Sequence, residues 1–142
     1  MSADLVEAAI AAMAKAYAPY SNFPVGAALR GAGGGIYSGC NVENAAYPLG
    51  CCAEASAISA LVSGGERRIV EVAVAGSSDL LVTPCGGCRQ RLREFAADDV
   101  LIHLCGPQGL RRSVTLGELL PLSFGPDHLA GRRGSPGAGA GG

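Results

Sequence analysis

Two cysteine motifs constrain the fold of this chain more than any other feature. The first contains Cys52 and Glu54, and the second places Cys85 and Cys88 behind a proline. Each motif stands at the predicted start of a helix, where free backbone N–H groups and the positive end of the helix dipole favour thiolates. Thiolates are ligands that zinc prefers. A fold that uses both motifs for one metal ion must bring two helix N-termini together.

The second motif by itself leaves several kinds of site open. Cys85 and Cys88 are compatible with a redox dithiol, with half of a structural zinc site, or with a catalytic zinc site. A structural site needs a fourth protein ligand, and His103 and His128 stand at no spacing that suggests one. Glu54 alone is compatible with a carboxylate stabilised by the helix dipole. Beside a cysteine and a downstream Cys-x-x-Cys, it favours proton transfer at a catalytic site.

Turn residues and hydrophobic periodicity predict an initial strand hairpin, after which strands and helices alternate. We predict helices over 3–17, 52–62, 83–97 and 116–120, and strands over 23–29, 36–40, 70–75 and 100–104. Thr83 is the expected N-cap of the third helix, with Pro84 at its first position. This order predicts an α/β fold with one mixed sheet and helices on both faces. The glycine-rich segment 131–142 is predicted to be a disordered tail.

Composition and charge narrow the class of protein. The 142 residues suit one domain, and a hydrophobic content of 49% permits a packed core. The formal net charge of −1 argues against a protein that binds a nucleic-acid backbone. The N-terminus carries acidic residues where a signal peptide carries basic ones, and apolar runs are too short to span a membrane. We therefore expect a cytoplasmic protein without nucleic-acid or membrane partners.

Further motifs accompany the two cysteine motifs, over residues 17–28, 39–47 and 118–125. Together with Cys52-Ala53-Glu54 and Pro84-Cys85-Gly86-Gly87-Cys88, they resemble the small homotetrameric zinc-dependent cytidine deaminases, in the form with three zinc-ligating cysteines. The resemblance covers roughly residues 5–129. It implies a cytidine deaminase-like domain over residues 1–130, with three α/β/α layers and a single mixed five-stranded sheet.

The resemblance also implies the residues of the site. Cys52, Cys85 and Cys88 are expected to hold one zinc ion per chain, with Glu54 as the proton shuttle. Cys51, which lies outside the matched pattern, is expected to be a buried thiol, as are Cys40 and Cys105.

Substrate contacts are implied in the same way. Asn41 and Glu43 are expected to bind the ribose hydroxyls, and their spacing on an extended segment points both side chains in one direction. Phe23 and the backbone around Ala53 are expected to hold the pyrimidine. Phe124 is expected to close a pocket on a neighbouring subunit, so that active sites of a homotetramer are completed by adjacent chains.

The activity that the resemblance implies is hydrolytic deamination of cytidine or 2′-deoxycytidine to uridine or 2′-deoxyuridine and ammonia, by zinc-bound hydroxide, in pyrimidine salvage. The alternatives are a deaminase of another aminopyrimidine nucleoside, such as a nucleoside antibiotic, and a non-catalytic zinc-binding or redox dithiol protein. One position departs from the family. Many three-cysteine members carry an arginine directly after the catalytic glutamate, whereas this chain has Ala55. We expect the missing arginine to raise the pKa of the zinc-bound water or to accompany a shifted substrate range. Arg89 is the candidate to take over part of its role.

Overall fold

The computed structural model describes residues 2–130. In chain order its elements are α1 (Ser2–Met13), β1 (Val25–Gly31), β2 (Ile36–Cys40), a 3-10 turn (Tyr47–Leu49), α2 (Ala53–Ser63), β3 (Ile69–Gly76), α3 (Gly86–Arg93), β4 (Leu101–Gly106), β5 (Gly109–Thr115), α4 (Leu116–Leu119) and α5 (Pro126–Ala130). Within this part of the chain, no helix combines the length and the apolar character needed to cross a membrane. The predicted tail over 131–142 lies outside the described residues.

The strands form one mixed five-stranded sheet in the order β2-β1-β3-β4-β5. β3 and β4 pair in parallel, and the other neighbours pair antiparallel. The mixed sheet predicted from the sequence is therefore confirmed. Periodicity alone missed β5, because this edge strand exposes most of its side chains and shows no alternation of buried and exposed residues.

Helices cover both faces of the sheet and give it three layers. On β3, Val72 and Val74 belong to the hydrophobic cluster that includes Leu61 of α2 and Leu92 of α3. The intervening Ala73 belongs to a second cluster, which contains Leu5 and Ala9 of α1. This alternation follows from the two-residue period of a strand. Small residues on the α1 side let that helix approach the sheet closely.

The connections around β3 bring the starts of α2 and α3 to one edge of the sheet. Residues 64–68 form a short connection from α2 to β3, so the chain turns back and α2 begins near the end of β3. α3 begins after the same end of β3 and leads into the parallel strand β4. The two cysteine motifs therefore meet, although they lie far apart in the sequence.

Three predicted boundaries, in two helices, are wrong. α1 ends at Met13 instead of 17, because the backbone N–H of Tyr17 donates to the carbonyl of Asn41 at 2.9 Å and Tyr17 pairs with Val42. α3 begins at Gly86, after Cys85 as N-cap, and ends at Arg93 instead of 97. Thr83 does not cap this helix.

Candidate metal centre and its surroundings

Three cysteine sulfurs lie together at the edge of the sheet where α2 and α3 begin. The Sγ atoms of Cys52, Cys85 and Cys88 all lie within 4.8 Å of one another. Cys52 precedes α2, Cys85 precedes α3, and Cys88 lies in the first turn of α3. The tertiary structure thus assembles the three residues that the sequence predicts as metal ligands.

Local backbone geometry leaves two of these sulfurs available for a ligand. Cys52 and Cys85 are both N-caps in extended conformation, with ψ of 155° and 167°, and neither side chain makes a capping hydrogen bond. By contrast, the Thr115 hydroxyl caps α4 by accepting from the backbone N–H of Glu118 at 3.2 Å. The sulfurs of the two N-cap cysteines lie together with the sulfur of Cys88 in one cluster.

The sulfur cluster fits a zinc ion. Zn–S bonds of about 2.3 Å in a tetrahedron place ligand sulfurs about 3.8 Å apart, which is compatible with the observed limit of 4.8 Å. Thiolates are soft ligands that select zinc over magnesium or calcium. Three protein ligands leave the fourth tetrahedral position for water or a substrate atom, as in catalytic zinc sites.

Electrostatics differ among the three thiols. The backbone N–H groups of Cys88 and Gly87 stabilise negative charge on the Cys85 sulfur, and they hold the pKa of this thiol below its ordinary value although burial acts in the other direction. Burial raises the pKa of Cys52, and it raises the pKa of the fully buried Cys88 strongly. Negative charge at Cys88 therefore needs compensation from a bound cation and from nearby hydrogen-bond donors.

Glu54 is buried beside this cluster. It lies in the first turn of α2, and only 5% of the residue is exposed. Burial raises the pKa of its carboxyl group, while a hydrogen bond with the Cys88 thiol and the charge of Arg91 act in the opposite direction. A carboxyl group whose pKa is raised in this way can both accept and release a proton closer to neutral pH than an exposed glutamate can.

The arginine in contact with the cluster is Arg91 and not the predicted Arg89. The Arg89 guanidinium donates to three oxygens, those of the Pro84 carbonyl at 2.7 Å, the Leu119 carbonyl at 2.8 Å and the Thr83 hydroxyl at 3.0 Å. Nη1 of Arg91 lies 3.8 Å from the Cys88 sulfur and donates to it. Sequence reasoning missed Arg91, although its position three residues after Cys88 on a helix is a usable signal.

Asn41 and Glu43 both face the segment that leads into β1. The Asn41 amide accepts from the backbone N–H of Val25 and donates to the carbonyl of Phe23, both at 2.9 Å. The Glu43 carboxylate accepts from the backbone N–H groups of Tyr20 and Ser21 at 2.9 and 3.1 Å, and from the Ser21 hydroxyl. The Ser21 hydroxyl and these N–H groups hold the pKa of Glu43 below its ordinary value.

A cavity of about 320 Å³ lies beside Glu43 and is lined by Tyr20, Ser21, Asn44, Tyr47 and Gly50. The common orientation expected for Asn41 and Glu43 agrees with their contacts. Among the described residues, neither Asn41 nor any of the three cysteine ligands lines this cavity.

The remaining predicted substrate contacts lie near the surface or at the start of α2. Phe23 is 39% exposed, and Ala53 is buried as the first residue of α2. Phe124 is 56% exposed, and its ring stacks on His128 at a centroid distance of 5.1 Å. The contact of Phe124 with a neighbouring subunit stays a prediction.

The adjacent cysteines 51 and 52 have different environments. Cys52 belongs to the sulfur cluster, whereas Cys51 is exposed and its sulfur lies 3.4 Å from the Ser56 hydroxyl. The expected burial of Cys51 is wrong, because its backbone pairs with Val42 at the surface. Cys105 is buried as expected, and Cys40 is only partly buried.

Comparison with known proteins places this geometry in a family context. The family model of the cytidine and deoxycytidylate deaminase zinc-binding region matches residues 2–104, which include both cysteine motifs. A cytidine deaminase of Sporosarcina psychrophila is 42% identical over 116 residues, which are 82% of this chain and 85% of that protein. A cytidine deaminase of Mycobacterium tuberculosis is 43% identical over 122 residues, covering 86% and 88%. The crystal structure of cytidine deaminase from Burkholderia pseudomallei is similar with a TM-score of 0.80 and 45% identity, over 85% of this chain and 97% of that one.

Proposed function

Because the chain belongs to the cytidine and deoxycytidylate deaminase family, we propose that it hydrolyses cytidine or 2′-deoxycytidine to uridine or 2′-deoxyuridine and ammonia, in pyrimidine salvage. The observation that carries the proposal is the cluster of three cysteine sulfurs at two helix starts, with the buried carboxyl group of Glu54 beside it. A non-catalytic zinc site or a redox dithiol gives no reason to bury a glutamate there.

Cys52, Cys85 and Cys88 would hold one zinc ion. When bound, zinc supplies a Lewis acid that brings the pKa of a water molecule towards neutrality. The cluster lies at the N-terminal ends of α2 and α3, where the positive ends of the two helix dipoles would stabilise negative charge on the sulfurs.

Glu54 would carry protons between water and the base. In the net reaction, a water oxygen adds to C4 of the cytosine ring and the exocyclic amine leaves as ammonia. Glu54 takes one proton from the water and delivers it to N3, and it passes the second to the departing amine. Its burial at the first turn of α2 holds the carboxyl group next to the sulfurs and away from bulk solvent.

Asn41 and Glu43 would bind the ribose, and Phe23 and the backbone at Ala53 would hold the pyrimidine. The hydrogen bonds of Asn41 to Val25 and Phe23 support this, because they fix the amide beside the start of β1. Fixed hydroxyl-binding groups would hold C4 at the reacting position, which lowers the entropic part of the barrier.

A homotetramer would complete each site with Phe124 of a neighbouring chain. Three large side chains on the surface support this, since Tyr47 is 74% exposed, Leu49 71% and Phe124 56%. Association of chains would remove such exposed apolar side chains from water. Residues 1–130 would form the deaminase domain. None of the six cysteines, all within residues 2–130, forms a disulfide, which supports the cytoplasm as its location.

The proposal is tested by the fall in ultraviolet absorbance when purified protein is mixed with cytidine or 2′-deoxycytidine. We expect turnover by the wild type and about one zinc ion per chain. Glu54→Gln removes proton transfer and should lower kcat by at least about 100-fold, with zinc content unchanged. Glu7→Gln is the matched control, because Glu7 is exposed on α1, on the opposite face of the sheet from α2.

A wild type that binds zinc but leaves both nucleosides unchanged would contradict the substrate assignment, and a panel of modified aminopyrimidine nucleosides would follow. Full activity of Glu54→Gln would contradict the role of this residue.

A further inference from the structure

A groove of about 450 Å³ lies between α2 and α3, and it is lined by Arg91, whose guanidinium contacts the Cys88 sulfur. Ala55 and Ile58 line it from α2, and Arg91 and Phe95 lie on the other side. Ala55 has no polar side-chain atom, so the α2 wall contributes no charge at this point. The only charged groups that line the groove are Arg91 and Glu94, among the described residues.

The Arg91 side chain runs back along α3 towards the sulfurs. Its Nη1 atom lies 3.8 Å from the Cys88 sulfur, one turn earlier on the helix. A Cβ atom added to Gly87 would lie 3.4 Å from the same nitrogen, so the guanidinium passes closely over the first turn of α3. A Cβ atom at this distance would be in ordinary van der Waals contact with the guanidinium.

The other two arginines of α3 are engaged elsewhere. Arg89 donates to the oxygens of Pro84, Leu119 and Thr83. Arg93 donates to the Ser123 hydroxyl and to the Asp127 carboxylate, both at 2.8 Å. Of these three guanidinium groups, the described contacts place that of Arg91 on a ligand sulfur.

We infer that Arg91 is a positioning residue of the metal centre, whose permanent positive charge and N–H donor stabilise the Cys88 thiolate and strengthen zinc binding. Three thiolates carry one negative charge more than a zinc ion neutralises, and Cys88 is fully buried. A guanidinium is positively charged and donates N–H groups, so it offsets this excess negative charge at the sulfur that it contacts. The inference rests on the proposed zinc site.

The test is the zinc dissociation constant at a single pH, measured by competition with a chromogenic chelator. Arg91→Met keeps the length of the side chain and removes the charge, and it should raise the dissociation constant by about 10-fold. Arg91→Lys keeps the charge and should lie between the wild type and the methionine variant. Arg67→Met, which removes an exposed arginine remote from the cysteines in sequence, is the control and should bind zinc as the wild type does.

A second variant and a second measurement distinguish stabilisation of the Cys88 thiolate by Arg91 from a contribution of Arg91 to folding alone. Ala55 lines the same groove, so Ala55→Arg in the Arg91→Met background should return part of the lost affinity. In protein loaded with Co²⁺, loss of the donor should move the sulfur-to-metal charge-transfer band to longer wavelength, because the thiolate becomes more electron-rich.

Equal zinc affinity and equal Co²⁺ spectra in Arg91→Met and Arg67→Met would overturn the inference and leave the proposed function intact. A wild type that binds no zinc would overturn both.

Discussion

Replacing Gly39 by alanine tests whether the packing of α2 on β2 sets the position of Cys52 and Glu54. A Cβ atom at Gly39 would lie 2.5 Å from the backbone nitrogen of Ala57 and 2.9 Å from the carbonyl oxygen of Ala53. Both contacts are with the backbone of α2, which cannot move aside as a flexible side chain can. Ordinary contact begins at 3.4 Å, so the helix must recede by about 0.9 Å.

Two consequences follow from this displacement. Overpacking at a helix–sheet contact costs about 2–3 kcal/mol, which lowers Tm by roughly 7–11 °C in a domain of this size. Zinc sites also tolerate deviations of only about 0.2 Å in ligand distance. A shift of the first turn of α2 carries Cys52 away from Cys85 and Cys88, so we expect weaker zinc binding and loss of deaminase activity.

The assay is thermal unfolding by circular dichroism together with zinc content after gel filtration. Gly86→Ala is the matched control, because it lies between two ligand positions and a Cβ atom there has nothing within 4 Å. It should retain its zinc and its Tm. The reasoning is refuted if Gly39→Ala unfolds within about 2 °C of the wild type and keeps its full zinc content, or if Gly86→Ala loses as much zinc.

Two further predictions concern the adjacent cysteines and the buried polar contacts of β3. Cys52→Ser should lose zinc binding while Cys51→Ser keeps it, since only Cys52 lies in the sulfur cluster; equal metal content in the two variants would contradict the assignment. Burial alone would raise the pKa of Glu71, but hydrogen bonds from His103, Arg30 and Ser2 hold this pKa below its ordinary value. The Glu71 carboxylate therefore stabilises the fold at pH values above its unfolded-state pKa, and this stabilisation is lost as the pH falls through its folded-state pKa. Glu71→Gln should therefore lower stability by about 1–3 kcal/mol at pH 7 and show a shallower loss of Tm below about pH 4.5 than Glu7→Gln does; parallel curves would contradict it.

Local signals were sufficient to predict most elements, because the residues that specify them are adjacent in the chain. The alternation in β3 and the turn glycines after β1 predict strands where the structure has them. The predicted end of α1 was wrong because a residue distant in sequence competes with the helix for a hydrogen bond: the backbone N–H of Tyr17 donates to the Asn41 carbonyl. β5 was missed because this strand exposes most of its side chains and therefore shows no alternation of buried and exposed residues.

The sequence by itself determined the chemistry available to this protein, since the spacing of Cys52, Glu54, Cys85 and Cys88 at two helix starts already predicts a thiolate metal site with a carboxylate beside it. Only the tertiary structure decided that the three sulfurs meet, because the turn from α2 into β3 and the crossover through α3 set where the two helices begin. It also decided which arginine reaches a sulfur. Arg89 and Arg91 are both basic residues of α3, but their position around the helix directs the first to backbone oxygens and the second across Gly87 to Cys88. Arg91 reaches Cys88 within one turn of α3, whereas the Leu119 carbonyl that engages Arg89 comes from α4, whose position residue type and spacing do not specify.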